Sequence, residues 1–431
     1  MTVPTSSGPA AGGVRLYGEE FAARPEAAYD KLRAEGPVAW AELAPGVRAL
    51  VVVSRRAARD LLNEEETYSK DSRLWGDLAR GAVPRDSPVL ALMAFRPSLL
   101  YADRDRHARL RHAMDDCLAR INLHHLRDRT RGHAAVLIER FARDGHADLM
   151  SQYADLLPLL VFADLMGCPA AMVERMVTAC QGMIDAGPRA EQAAADLAAV
   201  LAEIIQLKSG RPGDDCTTWM LAHPARLGHE EILHQLVVLI GAGTIPTAAW
   251  IAATLRLLLT DATYAGDLSG GAVTVRRAME QALWTHSPMA NFAVHYARYD
   301  TALHGVPIPA GVPVLVSHAA TGTDPSVPHP GYGNRSHLAW SAGPHRCPAV
   351  SHASIIAQTG IETLLDRLWD LDLIDPFAPN RPGPFHQCPA SLGIRFRPHT
   401  ADTPTAPSLP NAGGLRDHGT NPPRHHRHPP V

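Results

Sequence analysis

The spacing of apolar residues along the chain predicts a protein built mainly from α-helices. Apolar side chains recur every three or four residues over stretches of ordinary helix length. The predicted helices cover residues 26–34, 55–62, 107–120, 124–141, 150–166, 170–184, 190–207, 230–260, 274–284 and 350–368. The interior is therefore expected to be helical, with one helix much longer than the rest.

Strand signals are few and short. Residues 38–40 and 49–53 indicate a hairpin after the first helix, and 306–316 indicates strand, turn and strand. Residues 392–396 are expected to close a small sheet near the C-terminus. The predicted fold class is mainly α with a small β region (α+β).

Composition narrows the class of protein. The chain has 431 residues and a net charge of −3, so no basic excess points to nucleic acid. Its uninterrupted apolar runs, such as 236–240, are far shorter than the ~20 residues that span a bilayer. No export signal is visible at the start, and the six cysteines form neither a metal-site spacing nor a disulfide framework. We expect a cytoplasmic protein that binds neither nucleic acid nor membrane.

The two ends differ in composition from the rest of the chain. Residues 1–14 are mostly Ser, Gly, Pro and Ala, and 399–431 are rich in Pro and His. Both are predicted to be disordered, which leaves one domain over 15–398. Metal binding by the tail histidines is the alternative to a solvated tail.

The most informative segment is 340–349, Trp-Ser-Ala-Gly-Pro-His-Arg-Cys-Pro-Ala. Cys347 lies in a turn stiffened by glycine and proline, directly before the predicted helix 350–368. The turn and the helix N-terminus supply the N–H donors and positive potential that keep a thiolate ionised. A single thiolate held in this way is one of the few protein ligands that bind haem iron axially. A buried free cysteine beside a tight turn is the alternative.

This segment resembles the cysteine-ligand loop of the cytochrome P450 superfamily, Phe-Gly-x-Gly-x-His-x-Cys-x-Gly. Three positions match and three are replaced: the matches are Gly343, His345 and Cys347, and the replacements are Trp340 for Phe, Ser341 for the first Gly and Ala349 for the last. The resemblance covers about 17–398. It implies the P450 fold, with haem b between the long central helix and the cysteine loop and with Cys347 as the iron ligand.

The resemblance also implies residues that hold the haem. His107 and Arg111, one turn apart on a helix that Asp103 is expected to cap, correspond to the pair that binds a haem propionate. His345 is expected on a propionate as well. His295 lies where most members have an arginine. A pair such as His107 and Arg111 is by itself more common on a solvated helix face, and the cysteine loop reverses the balance in favour of the haem interpretation.

Two motifs of the superfamily are altered, and the first is structural. Most members have Glu-x-x-Arg, a buried ion pair that braces the cysteine loop, whereas Gln281 and Trp284 occupy those positions here, preceded by Glu280. We predict that Gln281 and Trp284 form an uncharged hydrogen-bonding pair in its place, since a buried ion pair can be replaced without loss of stability. The same change is found in the family 157 subgroup. Decay of the haem site is the alternative.

The second altered motif concerns oxygen chemistry. In the long helix Ala242 and Gly243 match the motif Ala-Gly-x-Glu/Asp-Thr-Thr and are expected to keep the backbone close to the haem. The acid and alcohol positions are Ile245 and Pro246. Pro246 has no N–H to donate to the carbonyl of Ala242, so a local kink is expected.

Proton delivery must then come from another source. The nearest hydroxyl groups are those of Thr244 and Thr247, and ordered water or the substrate itself are the alternatives. We expect these two threonines and Pro246 to determine the catalytic behaviour of the helix.

The predicted function is that of a haem-thiolate monooxygenase. It would insert one oxygen atom of O2 into a small apolar substrate, with electrons from ferredoxin and ferredoxin reductase. The expected substrate pocket includes Met289, Ala290, Asn291 and Phe292. Because the acid and alcohol are missing, two alternatives stay open: a peroxide-using, isomerising or oxidative-coupling enzyme, and a haem-binding sensor or partner protein with little turnover.

Overall fold

Each of the longer helices that the apolar periodicity predicts is present, and several short helices that it does not predict are added. The computed structural model describes residues 13–184, 190–261, 264, 272–327 and 333–400. Its α-helices are α1 (Gly18–Ala23), α2 (Pro25–Glu35), α3 (Arg55–Asn63), α4 (Gly76–Ala79), α5 (Leu90–Met93), α6 (Arg104–Arg120), α7 (Leu123–Glu139), α8 (Leu156–Leu165), α9 (Ala170–Ile184), α10 (Ala190–Gly210), α11 (Cys216–Leu221), α12 (His229–Thr260), α13 (Ala272–Thr285), α14 (His318–Gly322) and α15 (Val350–Arg367). A one-turn π-helix, Met150–Ala154, precedes α8.

Short strands form three small sheets. The strands are β1 (Val14–Arg15), β2 (Val38–Ala44), β3 (Val47–Val52), β4 (Tyr68–Ser69), β5 (His146–Asp148), β6 (Asn291–Ala297), β7 (Thr301–Leu303), β8 (Val306–Ile308), β9 (Pro313–Ser317), β10 (Asp372–Leu373) and β11 (Gly393–Arg395). The strand orders are β1-β2-β3-β9-β6-β4, β10-β11-β5 and β7-β8. The fold is therefore mainly α with a smaller β region, as predicted.

The strand pairing confirms part of the prediction and extends the rest. β2 and β3 form the expected antiparallel hairpin, and β11 completes a small sheet. The two strands predicted within 306–316 lie in different sheets: β8 pairs with β7, while β9 pairs with β3 and β6. Non-local pairing of this kind leaves no local pattern, because the partners are far apart in sequence.

The register of the largest sheet sets the position of His295. β6 runs antiparallel to β9, with an irregularity between Phe292 and His295, and His295 lies opposite Val314. On its other edge β6 pairs with β4, where Ser69 lies opposite Tyr296. The residue that follows Ser69 is thus brought next to His295.

The long helix α12 is the centre of the helical core. It packs against α8, α10, α13 and α15, and Ile251 and Leu255 on it are fully buried. By length and composition α12 is the one described helix that qualifies as a membrane span, but 61% of its apolar window is buried in the fold. Its hydropathy therefore reflects a core position.

The predicted disordered ends lie largely outside the described residues. Among the described residues, Val14 pairs with Ala41 in the sheet, and His399 Nε2 donates a hydrogen bond to the Arg367 carbonyl at 2.8 Å. Val14 and His399, which fall within the predicted ends, therefore both contact the rest of the chain.

Candidate functional site

The cysteine loop is a tight, internally hydrogen-bonded turn. The Cys347 amide donates to the Trp340 carbonyl at 2.9 Å, and the Arg346 amide donates to the Gly343 carbonyl at 3.1 Å. Gly343 has φ +66° and Ser341 has φ +60°, so both adopt the left-handed conformation that favours glycine. Ser341 is therefore strained at the position where the superfamily pattern has its first glycine.

The loop is also fixed from outside. A Cβ at Gly343 would overlap the Leu62 carbonyl of α3, so this position requires glycine for space as well as for conformation. Trp340 meets Trp250 of α12 edge to face, with ring centroids 5.3 Å apart. The Trp250 indole donates to the Met279 carbonyl at 2.9 Å, which ties the loop through α12 to α13.

The surroundings of the Cys347 sulfur favour its thiolate form only in part. Burial raises the pKa of its thiol, while the Ala349 amide and the charges of Arg111 and Arg346 act in the opposite direction. Ala349 is the residue before α15, so this amide belongs to the helix N-terminus, as predicted. A metal cation bound to the sulfur adds the remaining positive charge that a thiolate needs.

Arg111 holds the cysteine loop rather than standing free. Its Nε lies 2.7 Å from Asp115, and its Nη1 donates to the carbonyls of Pro344 at 3.0 Å and Arg346 at 2.9 Å. The sequence predicts that Arg111 binds a haem propionate. In the structure its partners are two carbonyls of the cysteine loop and the carboxylate of Asp115.

Three buried imidazoles and one partly buried imidazole lie together beside the loop, and we call them the histidine cluster: His107, His295, His318 and the partly buried His345. The rings of His107 and His345 stack with centroids 3.9 Å apart. Burial and nearby positive charge lower the pKa of all four, to about 4 for His107 and His318.

The histidine cluster has more hydrogen-bonding nitrogens than partners. No partner is found in the structure for His107 Nε2, His295 Nδ1, His318 Nδ1 or either ring nitrogen of His345. Buried polar atoms are almost always satisfied, so this set indicates a missing anionic group. Lys70, which carries no sequence motif and was not selected from the sequence, lies beside the same rings.

Asp103 does not cap α6 with its side chain, contrary to the prediction. Its carboxylate instead accepts the Lys70 amide at 2.7 Å, the Ser69 hydroxyl, and Arg298 at 2.8 Å. Asp103 therefore fixes the end of β4 against β6, because three groups from that side compete for its two oxygens.

One face of α12 stays open where the superfamily motif lies. Ala242 is exposed, and Ile245 and Pro246, one turn further on, are partly exposed. The helix continues through Pro246, which cannot donate to the Ala242 carbonyl. The predicted gap in the hydrogen-bond ladder thus falls on the open face.

The two threonines lie on the other side of α12 from this open face. Thr244 is 5% and Thr247 is 3% exposed. The Thr244 hydroxyl donates to the Ile240 carbonyl at 2.7 Å within the helix. A rotation of 100° per residue separates both threonines from Ala242, so neither hydroxyl faces the open side.

Gly243 serves helix packing rather than cofactor approach. A Cβ at this position would overlap the ring of Phe162 on α8. Its lack of a side chain therefore lets α8 and α12 pack closely, whereas Ala242 occupies the open face.

Two of the four predicted pocket residues keep exposed surface. Met289 and Phe292 are partly exposed, while Ala290 and Asn291 are buried. The Asn291 amide donates to Tyr29 at 3.1 Å and to the Pro384 carbonyl at 2.7 Å, which is a structural role.

The predicted Gln281–Trp284 hydrogen bond is not formed. The Trp284 indole donates to the Asn334 carbonyl at 2.9 Å, in the segment that leads to the cysteine loop. Glu280 forms the ion pair of this region, with Arg335 at 2.7 Å. The prediction missed both contacts because Asn334 and Arg335 lie about 50 residues away from α13.

The side chain of Trp284 is covered on two further sides. The Arg55 guanidinium lies 5.0 Å from its ring centroid, and His337 meets it edge to face at 5.7 Å. Arg55 also donates to the Ser336 carbonyl. We call Arg55, Glu280, Trp284, Arg335 and His337 the brace, since together they fix the approach to the cysteine loop.

In this site a cysteine loop packs against a long helix, and unsatisfied imidazole nitrogens lie beside the loop. This arrangement is the one expected of haem-thiolate proteins. No protein-family model matches the chain. Cytochrome P450 monooxygenase PikC of Streptomyces venezuelae is 29% identical over 385 residues, 86% of this chain and 90% of its own. The 2-hydroxy-5-methyl-1-naphthoate 7-hydroxylase of Streptomyces carzinostaticus is 26% identical over 359 residues, 80% of this chain and 87% of its own.

The solved structures agree. CYP154C4 from Streptomyces sp. W2061 superimposes with a TM-score of 0.80 at 26% identity, covering 89% of this chain and 98% of that one. The chain belongs to the cytochrome P450 superfamily, and its cofactor is haem b. It is an oxidoreductase of the monooxygenase class.

The residues present fit this cofactor. Haem carries two carboxylates and one iron, and the site offers unsatisfied imidazole nitrogens together with one cysteine sulfur beside an amide donor. The partly exposed faces of the loop and of α12 leave apolar surface for the macrocycle.

Proposed function

We propose that this chain is a haem-thiolate monooxygenase in which Cys347 ligates the iron. The loop geometry around Cys347 carries the proposal, because it aims one sulfur, supported by an amide and two arginines, out of a rigid turn. His107, His345 and His295 would hold the propionates. Trp340, Ala349 and Ala242 would contact the macrocycle.

The bound haem would supply reductive activation of dioxygen and transfer of one oxygen atom to a substrate carbon. The chain positions the groups around it. The Cys347 thiolate would hold the iron and would add electron density to it. Ala242 and Ile245 present an apolar face, and the Ala242 carbonyl, freed by Pro246, is an acceptor that can hold a water molecule.

A small apolar substrate and electrons from ferredoxin and ferredoxin reductase complete the proposal. Met289 and Phe292 are the partly exposed residues of β6 and its approach, and both are apolar. Arg346 is exposed beside Cys347 and offers positive charge to an acidic electron carrier at the surface of the loop. We place the enzyme in the cytoplasm, where such carriers occur.

The thiolate ligand is tested by the absorption of the reduced, carbon-monoxide-bound protein. The band is expected at the long-wavelength position that thiolate ligation produces, and Cys347→Ala should abolish it. Cys168→Ala is the matched control, because Cys168 is also a partly exposed free thiol. A Cys347→Ala variant that keeps the band, or wild type that binds no haem in a haem-replete host, would sink the assignment.

A peroxide-driven reaction is the second candidate, and Ile245 with Pro246 favours it. Peroxide brings the protons that an acid and alcohol would otherwise deliver. Turnover with reduced ferredoxin, compared with turnover on hydrogen peroxide, separates the two. Haem binding with neither activity would indicate a sensor.

A further inference from the structure

Lys70 is a buried lysine whose side chain forms no hydrogen bond or ion pair with the residues that the structure describes. The chain contains three lysines, Lys31, Lys70 and Lys208, and Lys70 is 8% exposed. Asp103 is the carboxylate whose charge acts on Lys70, but its oxygens are taken by Ser69, Arg298 and the Lys70 amide. A buried ammonium in this state is costly unless another anion binds there.

The strand register places Lys70 inside the histidine cluster. It follows β4 directly, and since Ser69 lies opposite Tyr296, Lys70 comes next to His295. Its charge acts on His107, His295, His318 and His345 alike. The Lys70 ammonium and the unsatisfied imidazole nitrogens of the histidine cluster therefore lie close to one another.

None of the other groups in this cluster supplies a permanent positive charge. The imidazoles are held neutral by burial, and Arg111 is already bound to Asp115 and to the loop carbonyls. Burial also lowers the pKa of Lys70 to about 7, which a bound carboxylate would reverse.

We infer that Lys70 binds a haem propionate and is the principal cation of the propionate site. The inference rests on the proposed haem-thiolate function and adds a residue to it. The ammonium donates to one carboxylate of the macrocycle, with the neutral imidazoles as further donors. This contact should slow haem release rather than change the iron ligand.

The test measures transfer of haem from the holoprotein to excess apomyoglobin. Lys70→Met should release haem about tenfold faster or more, because a charge-assisted hydrogen bond is lost, while Lys70→Arg should stay close to wild type. Lys31→Met controls for the loss of an exposed charge. Lys208→Met controls for lost stability, since Lys208 pairs with the buried Asp215 at 2.7 Å. Neither control should change the release rate by more than about twofold.

The same measurement with haem dimethyl ester, exchanged into each protein, identifies the carboxylate. The difference between wild type and Lys70→Met should disappear, since the ester has no charge to bind. A difference that persists with the ester would assign Lys70 a merely structural role. If Lys70→Met does not fold, Lys70→Gln serves in its place and should likewise release haem about tenfold faster. Equal release rates with an intact thiolate band would overturn the role of Lys70 alone, whereas absence of that band in wild type would overturn the proposed function.

Discussion

At the scale of single residues, the cysteine loop depends on backbone conformation more than on side-chain chemistry. Ser341 and Gly343 both have positive φ, and the Cys347 amide closes the turn on Trp340. The loop can present its sulfur at a fixed position because the backbone has little freedom to move. Side chains at the other positions are accordingly free to differ from the superfamily pattern.

Gly343→Ala is expected to destabilise the loop more than its φ alone explains. A left-handed alanine costs about 1 kcal/mol, and overlap with the Leu62 carbonyl should add about 2 kcal/mol or more. Gly81→Ala is the matched control, because Gly81 has φ +71° and open space around its Cα. Urea denaturation of both variants measures the difference. Equal losses in the free energy of unfolding of the two variants would show that the Leu62 carbonyl moves aside without cost.

The site residues divide according to what a sequence can reveal. Cys347 and His345 were predictable because the loop motif fixes their spacing. Lys70 was not, since its position depends on the pairing of β4 with β6, which joins residues more than 200 positions apart. The threonines of α12 were assigned by proximity along the chain, and the helical rotation places them on the buried face instead.

At the scale of elements, the brace shows how one contact pattern can replace another. The indole of Trp284 on α13 reaches the backbone of Asn334, while Glu280, one position before the family's glutamate, forms the ion pair with Arg335. Helix α13 is thereby tied to the segment before the cysteine loop without a buried charge at 281 or 284.

Trp284→Phe tests this contact directly. It keeps a large ring but leaves the Asn334 carbonyl without its donor, so we expect a loss of about 1–3 kcal/mol. Gln281→Ala should cost less than about 0.5 kcal/mol, because its side chain has no described hydrogen bond. The double variant should be additive. A coupling energy well above about 0.5 kcal/mol in denaturant unfolding would restore the pair that the sequence predicted.

The brace should also make the fold sensitive to acid. Burial, with Arg55, Arg335 and Arg346 nearby, holds the pKa of His337 at about 4, below the ordinary value of 6.5. The His337 imidazole binds a proton more readily in the unfolded chain than in the folded one. Its contribution to the free energy of unfolding is therefore present above pH 6.5 and is lost as pH falls toward 4.

His337→Gln removes that titration. Between pH 6.5 and pH 5 the wild type should lose up to about 2 kcal/mol through this group, and the variant should lose correspondingly less. Thermal unfolding of the holoprotein across this range is the measurement. Replacement of the exposed His229 by Gln is the control and should leave the pH dependence unchanged. Parallel curves for wild type and His337→Gln would contradict the assignment.

Helices were easier to predict than sheets for a physical reason. The pattern of α12 or α15 is local, so the apolar residues of one segment are sufficient. β6 is buried along most of its length and shows no alternation, and its partners β4 and β9 lie on either side of it in sequence. No strand was predicted over these residues for that reason.

At the scale of the whole molecule, electrons and protons would reach the haem through different elements. The cysteine loop, with exposed Arg346, lies on the side proposed for the electron carrier, and the open face of α12 lies where oxygen and substrate are expected. The first element keeps the glycine, histidine and cysteine of the superfamily pattern at Gly343, His345 and Cys347. Helix α12 lacks the acid and the alcohol of that pattern. Protons should therefore reach the haem more slowly than electrons do.

We therefore expect poor coupling of reductant to product in the wild type, with much of the reductant recovered as hydrogen peroxide. Ile245→Glu combined with Pro246→Thr restores an acid and an alcohol on the open face and should raise the product formed per reductant consumed. Pro246→Ala separates the two effects of proline, because it restores the N–H to the Ala242 carbonyl without adding a hydroxyl. Thr244→Val is the matched control, since its hydroxyl is buried against Ile240, and it should leave coupling unchanged. The measurement requires any ligand that shifts the haem absorption band and is turned over, with peroxide quantified in parallel. Tight coupling in the wild type and its collapse in the double variant would show that the chain has its own proton path, for which water at the Ala242 carbonyl is then the group to examine.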